Sequence, residues 1–122
     1  MTTTISGSNG IVFPDDTSMQ TGQQAVKAWV NFNGTGVVAI RAGYNVSSIT
    51  DLNTGKYQVN FTTAFPDINY AAVAMIRADT DYGPLVGQPH EYATQSTTAI
   101  RLKCGSSSVA QDSSVVSVAI FR

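Results

Sequence analysis

From Ala25 to the end of the chain, apolar and polar residues alternate in short runs, and turn-forming residues close each run. In "VKAWVNF", Val26, Ala28, Val30 and Phe32 fall on one side while Lys27, Trp29 and Asn31 fall on the other, the period of a half-buried strand. "NGTG" (Asn33 to Gly36) follows, with residues that tolerate positive φ in a tight turn. "VVAIRA" (Val37 to Ala42) reads as the returning strand, Val46 to Ile49 as a third, and "KYQVNF" after the "DLNTG" turn as a fourth. "FPDIN" breaks the chain again, because Pro66 has no backbone donor and Asp67 and Asn69 favour turns.

"YAAVAMIRAD" (Tyr70 to Asp79) is the longest apolar run. An alanine-rich helix is its rival reading, but turn signals recur roughly every 8–12 residues on either side. The run is therefore expected to be a central strand buried on both faces. "DTDYGPLVGQPH" reads as a long loop; Glu91 to Gln95, Thr98 to Cys104 and Val115 to Phe121 complete the strands, with hairpin loops at Ser106 to Ser108 and Gln111 to Ser114. The expected architecture is all-β, an antiparallel β-sandwich (jelly-roll or Ig-like) or a small barrel of seven to eight strands. It is preceded by an extended N-terminal arm: residues 1–24 form the arm and residues 25–122 a single domain.

A chain of 122 residues suffices for one domain with a real core. Only 12% of its residues are charged, about half the usual share, and Thr, Ser, Asn, Gln and Gly take their place. The seven basic residues are scattered and the net charge is −1, which supports neither a nucleic-acid nor an anionic membrane partner. The longest apolar run is far below the ~18 residues of a spanning helix. "MTTTISGSNG" has neither the basic start nor the apolar core of a signal peptide, so assembly in a cytoplasm is expected. One cysteine, Cys104, excludes an intrachain disulfide and reads as a small buried hydrophobe.

Chemistry is sparsely provided. His90 is the sole histidine and Glu91 the sole glutamate. No nucleophile elbow of the G-x-S-x-G form occurs, and the aspartates sit where Asp caps its own turn. "DTD" and "DD" lack the ligand spacing of a calcium loop. "GTG" at Gly34 is not followed by a helix and is no phosphate cradle. No catalytic residue, cofactor or metal is expected.

Two features point to contacts with other molecules. In "GIVFPDD" the apolar triplet Ile11, Val12 and Phe13 stands in polar surroundings, and each large apolar side chain left in water forgoes roughly 1.5–3 kcal/mol. Its shelter is a neighbouring subunit, a shell beneath, or the chain's own domain. Trp29, opposite Val30 and Phe32, fills a second sheet face, lines a sugar site or touches a neighbouring subunit.

"SGSNGIVFPDDTSMQTG" resembles the G-I-x-F-P-D-G-T-x-Q segments of tail fibres and related surface proteins of tailed phages, particularly those of cyanobacteria. "VKAWVNFNGTGVVAIRAGYNVSSITDLNTGKYQVNFTTAFPDINYAAVAM" is similar to the module that follows such segments, where K-A-W-V-N-F-N-G leads into N-V-S-S-I-T-D-x-G-x-G-x-Y-x-V-N-F. The resemblance runs from about Gly7 to Met75, more than half of the chain. Asp16 stands where the pattern has Gly. Fibres are long chains with shafts, whereas this one opens at a Met and holds one domain. The resemblance therefore implies a trimeric, non-enzymatic capsid decoration (cement) protein on the virion surface. It would bridge capsomers of the major capsid protein through its arm, with Ile11, Val12, Phe13 and Trp29 in subunit or capsid contacts. The alternative it implies is a tail-fibre tip or receptor-binding knob, with Tyr82, His90 and Tyr92 in a loop that meets a host-surface glycan.

Overall fold

A computed structural model describes residues 3–7, 10–19, 25–77, 86–89, 95–106 and 108–122, with residues 6 and 86–89 described for the backbone alone. Alternation makes strands throughout. In the domain these are β4 (Val26–Asn33), β5 (Ala39–Tyr44), β6 (Val46–Asn53), β7 (Lys56–Phe61), β8 (Ala71–Ile76), β9 (Val86–Pro89), β10 (Ala99–Gly105) and β11 (Val116–Phe121). They build two four-stranded antiparallel sheets, in the orders β5-β4-β11-β8 and β6-β7-β10-β9. No helix occurs among the described residues. The fold is an all-β sandwich, and neither sheet closes into a barrel.

Each central strand turns one set of alternate residues inward. Ala28, Val30 and Phe32 of β4 join Val116, Val118 and Ile120 of β11, facing Tyr57, Val59 and Phe61 of β7 and Ile100, Leu102 and Cys104 of β10. All are buried, each large one contributing roughly 1.5–3 kcal/mol over exposure. At one end of this core Phe61, Phe65 and Tyr70 form an aromatic cluster, with Phe61 edge-on to the other two at 4.8 and 5.8 Å. At the other end the Phe32 and Tyr57 rings meet edge-on at 5.2 Å.

The chain changes sheets between β5 and β6 in a single residue, Asn45, which takes a positive φ of 55°. The β6–β7 hairpin turns at Thr54 and Gly55. Gly55, at φ 64°, would place a Cβ 2.5 Å from the Gln111 nitrogen, so only glycine fits that close approach.

Several expectations need correcting. The apolar run from Tyr70 is not a central strand buried on both faces: β8 lies at the edge of its sheet, with Ala71, Val73 and Met75 exposed. Its apolar outward positions hid the alternation that would have shown one open face. The expected loop "DTDYGPLVGQPH" contains β9, an edge strand where Pro89 is tolerated at the last position. Gln111 to Ser114 is no hairpin loop, since β10 and β11 belong to different sheets and the segment crosses between them. Most of the expected strand Glu91 to Gln95 lies outside the described residues. The arm is more than extended chain: β1 (Thr4–Ser6), β2 (Gly10–Val12) and β3 (Ser18–Met19) form a three-stranded antiparallel sheet of their own.

Candidate interaction surface

The two sheets present opposite chemistry to solvent. On the outside of β6-β7-β10, polar side chains are tied to one another. The Arg101 Nε donates to Gln58 Oε1 at 2.8 Å and Gln58 Nε2 to Asn60 Oδ1 at 2.7 Å. Asn60 Nδ2 then donates to the hydroxyls of Ser48 and Thr50 at 3.0 and 2.9 Å. That face satisfies itself and mixes readily with water.

The outside of β5-β4-β11-β8 is apolar. Register places Tyr44, Trp29, Ala119 and Val73 in one row across all four strands, with Ala42, Asn31, Ser117 and Met75 in the next. Trp29 is 42% exposed, Tyr44 61%, Val73 57%, Met75 75% and Phe121 39%. At about 150–250 Å² for each aromatic side chain, the three rings alone leave roughly 200–350 Å² in water. A stable interface covers roughly 800 Å² per partner, and Val26, Val73, Met75 and the alanines extend the rings toward it.

Residues 28–33, 71–76 and 116–121 include no charged residue, and depletion of charge marks the centre of protein interfaces. The polar pair within the face is already matched, Asn31 Nδ2 donating to the Ser117 hydroxyl at 2.9 Å. Covering the face thus strands neither group of that pair, an omission that would cost about 1–3 kcal/mol per group.

The arm offers a second apolar element. Ile11 and Val12 of β2 are half-buried, while Phe13 is exposed at the mouth of the β2–β3 turn. The Phe13 amide donates to Thr17 O at 2.8 Å and the Asp16 amide to Phe13 O at 3.0 Å. Asp15 Oδ1 accepts from the amide and the hydroxyl of Thr17 at 3.1 and 2.6 Å. The Thr17 hydroxyl, and then its amide, hold the Asp15 carboxyl below its ordinary value. Asp16 adopts a φ of 62°, a conformation glycine reaches without penalty and Asp tolerates. None of Ile11, Val12 and Phe13 belongs to the domain's buried core cluster.

Of the residues singled out in the sequence, Trp29 stands in the middle of the apolar face, and Ile11, Val12 and Phe13 lie in the arm sheet. Tyr82, His90 and Tyr92 lie outside the described residues. Tyr44, Val73, Met75 and Phe121 were not anticipated. Their signal was the pairing of strands, which places residues distant in sequence in one row. Among the described residues no group of three or more His, Cys, Asp or Glu side chains is placed to hold a metal ion.

A scan against models of protein families finds no match, and searches of curated proteins and of solved structures find none either.

Proposed function

We propose that this protein is a non-enzymatic structural subunit of a bacteriophage particle, a capsid decoration protein that works as a homotrimer on the virion surface. Sister subunits cover the apolar face from Trp29 across β11 to Val73 and Met75, leaving Tyr44 on the edge strand β5 open, and the arm, through Ile11, Val12 and Phe13, grips the shell beneath. Capsomers bridged in this way are stabilised because several weak arm contacts act together at high effective concentration.

The observation that carries the reading is the contrast between the two outer faces, one self-satisfied and polar, the other apolar and almost without charge. A solitary domain gains nothing from an apolar face of this size, whereas an assembly subunit needs one. The resemblance of "GIVFPDDTSMQTG" and "KAWVNFNG" to phage surface proteins supplies the setting.

Electron microscopy of particles carrying a tagged full-length chain tests the proposal. Threefold density on the head, lost when Phe13 is replaced by Ser, is the expected result. Density confined to the tail, or none on the particle, overturns the assignment to the capsid.

A further inference from the structure

At the sandwich end where β4 starts and β5, β7 and β11 finish, a cleft of about 770 Å³ opens, within the size range of small-molecule sites. Its residues include Lys27, Tyr44, Asn45, Thr62, Thr63 and Phe65. Phe65 joins it to the buried aromatic cluster, so that wall is firmly packed.

Asn45 locks the backbone around it. Its Nδ2 donates to the carbonyls of Lys27 and Thr63, both at 3.2 Å, and its Oδ1 accepts from the Thr63 amide at 2.7 Å. The Thr62 amide donates to the Asn45 carbonyl at 3.2 Å. An asparagine held at φ 55° by four such bonds is a fixed corner. Around that corner stand the Lys27 ammonium, the Thr62 and Thr63 hydroxyls and the Tyr44 phenol. None of the four has an ion pair or side-chain hydrogen bond among the described residues. Arg122, which also lines the cleft, is spoken for: it donates to both Asp67 carboxylate oxygens, at 3.0 and 2.6 Å. Among the described residues of the cleft, Lys27 is therefore the uncompensated cation.

We propose that this cleft binds a saccharide bearing a carboxylate. The Tyr44 ring takes the apolar C–H face of a pyranose, and the Thr62 and Thr63 hydroxyls exchange hydrogen bonds with sugar hydroxyls. The Lys27 ammonium pairs with the carboxylate. A pre-formed site with one aromatic platform, several uncommitted hydroxyls and one cation matches such a ligand better than a phosphate, for which the described residues of the cleft offer neither a helix N-terminus nor a second free cation. The inference stands apart from where on a particle the protein sits.

Amide chemical shifts of the full-length protein, followed during titration with tetragalacturonate, sialyllactose and a glucuronate-terminated trisaccharide, test it, with maltotetraose as the neutral comparison. At least one acidic sugar is expected to give saturable shifts at residues 27, 44–45 and 62–65. Lys27→Gln should weaken its binding about tenfold, and raising the salt should weaken it further. Thr63→Val keeps the amide that Asn45 needs and should still lower affinity; a dispersed spectrum for each variant shows that it remains folded. Shifts from none of the acidic sugars at millimolar concentration, shifts mapping elsewhere, or equal binding of maltotetraose with no effect of Lys27→Gln would each overturn the proposal.

Discussion

The Tyr57 hydroxyl has one proton and two acceptors within reach, Gly34 O at 2.6 Å and Asp112 Oδ1 at 2.9 Å. Asp112 Oδ1 also takes the Gly55 amide at 2.7 Å. One buried phenol thereby joins the β4–β5 loop, the β6–β7 turn and the crossing into β11. Tyr57→Phe keeps the ring against Phe32 and removes the bond, so it should lower stability by about 1–2 kcal/mol in urea unfolding. Gly34→Ala attacks the same seat from the other side, since its Cβ would lie 2.5 Å from the Tyr57 oxygen and 3.0 Å from Ser113 O. A loss of about 1–3 kcal/mol is expected from that overpacking.

Burial, and then the neighbouring Asp112, hold the Tyr57 phenol above its ordinary value, and burial pushes Tyr70 and Cys104 each up to about 12. Acids raised in this way add stability that is fully present below their unfolded values, 9.0 for the thiol and 10.0 for the phenols, and lost as pH rises through the folded ones. The urea midpoint should thus fall from about pH 9 upward, and Cys104 should react with a thiol reagent at pH 8 only after unfolding. Rapid labelling of the native protein would contradict this.

Among the elements, β4 and β7 were readable in advance because one face is apolar and the other carries Lys, Asn or Gln. Their inward residues are the ones alternation picks out, except Val26, which pairs with Phe121 beyond a register shift and is exposed. β8 was misread for the converse reason. Alanine, valine and methionine occupy its outward positions, and alanine and isoleucine its inward ones, so the run carries no periodicity to separate an open face from a buried one. β9 was hidden by Gly87 and Pro89, residues that usually mark a loop but are allowed on an edge strand. The arm sheet was hidden by shortness, its strands having only two or three residues. The apolar face was half readable: Trp29 opposing Val30 could be seen, but its row with Tyr44 and Val73 exists only once strand order is known. The same reasoning separates two kinds of substitution. Val73→Lys and Met75→Lys replace exposed side chains and should alter the stability of the isolated domain by no more than about 0.5 kcal/mol, while weakening association.

At the level of the whole molecule, one core lies buried between two sheets, of which one turns a polar network and the other an apolar face to the outside. Burial of a single core suffices to hold the sandwich, so the open face has no evident task within one subunit. The Arg122–Asp67 pair ties the end of β11 to the crossing after β7. Hydrogen bonding to Arg122 holds the Asp67 carboxyl below its ordinary 3.8. That contribution is present above about pH 4 and disappears as the pH falls through the folded value. Asp67→Asn should flatten part of the acid limb of the stability curve and leave the alkaline limb alone.

The central claim, that copies of this chain cover the apolar face, is tested most directly by the mass of the full-length protein in light scattering at tens of micromolar. A species of three times the 12.9 kDa chain mass, reduced to one by Val73→Lys with Met75→Lys while the fold is kept, is the predicted result. A wild-type protein that stays at a single chain mass under the same conditions would contradict it.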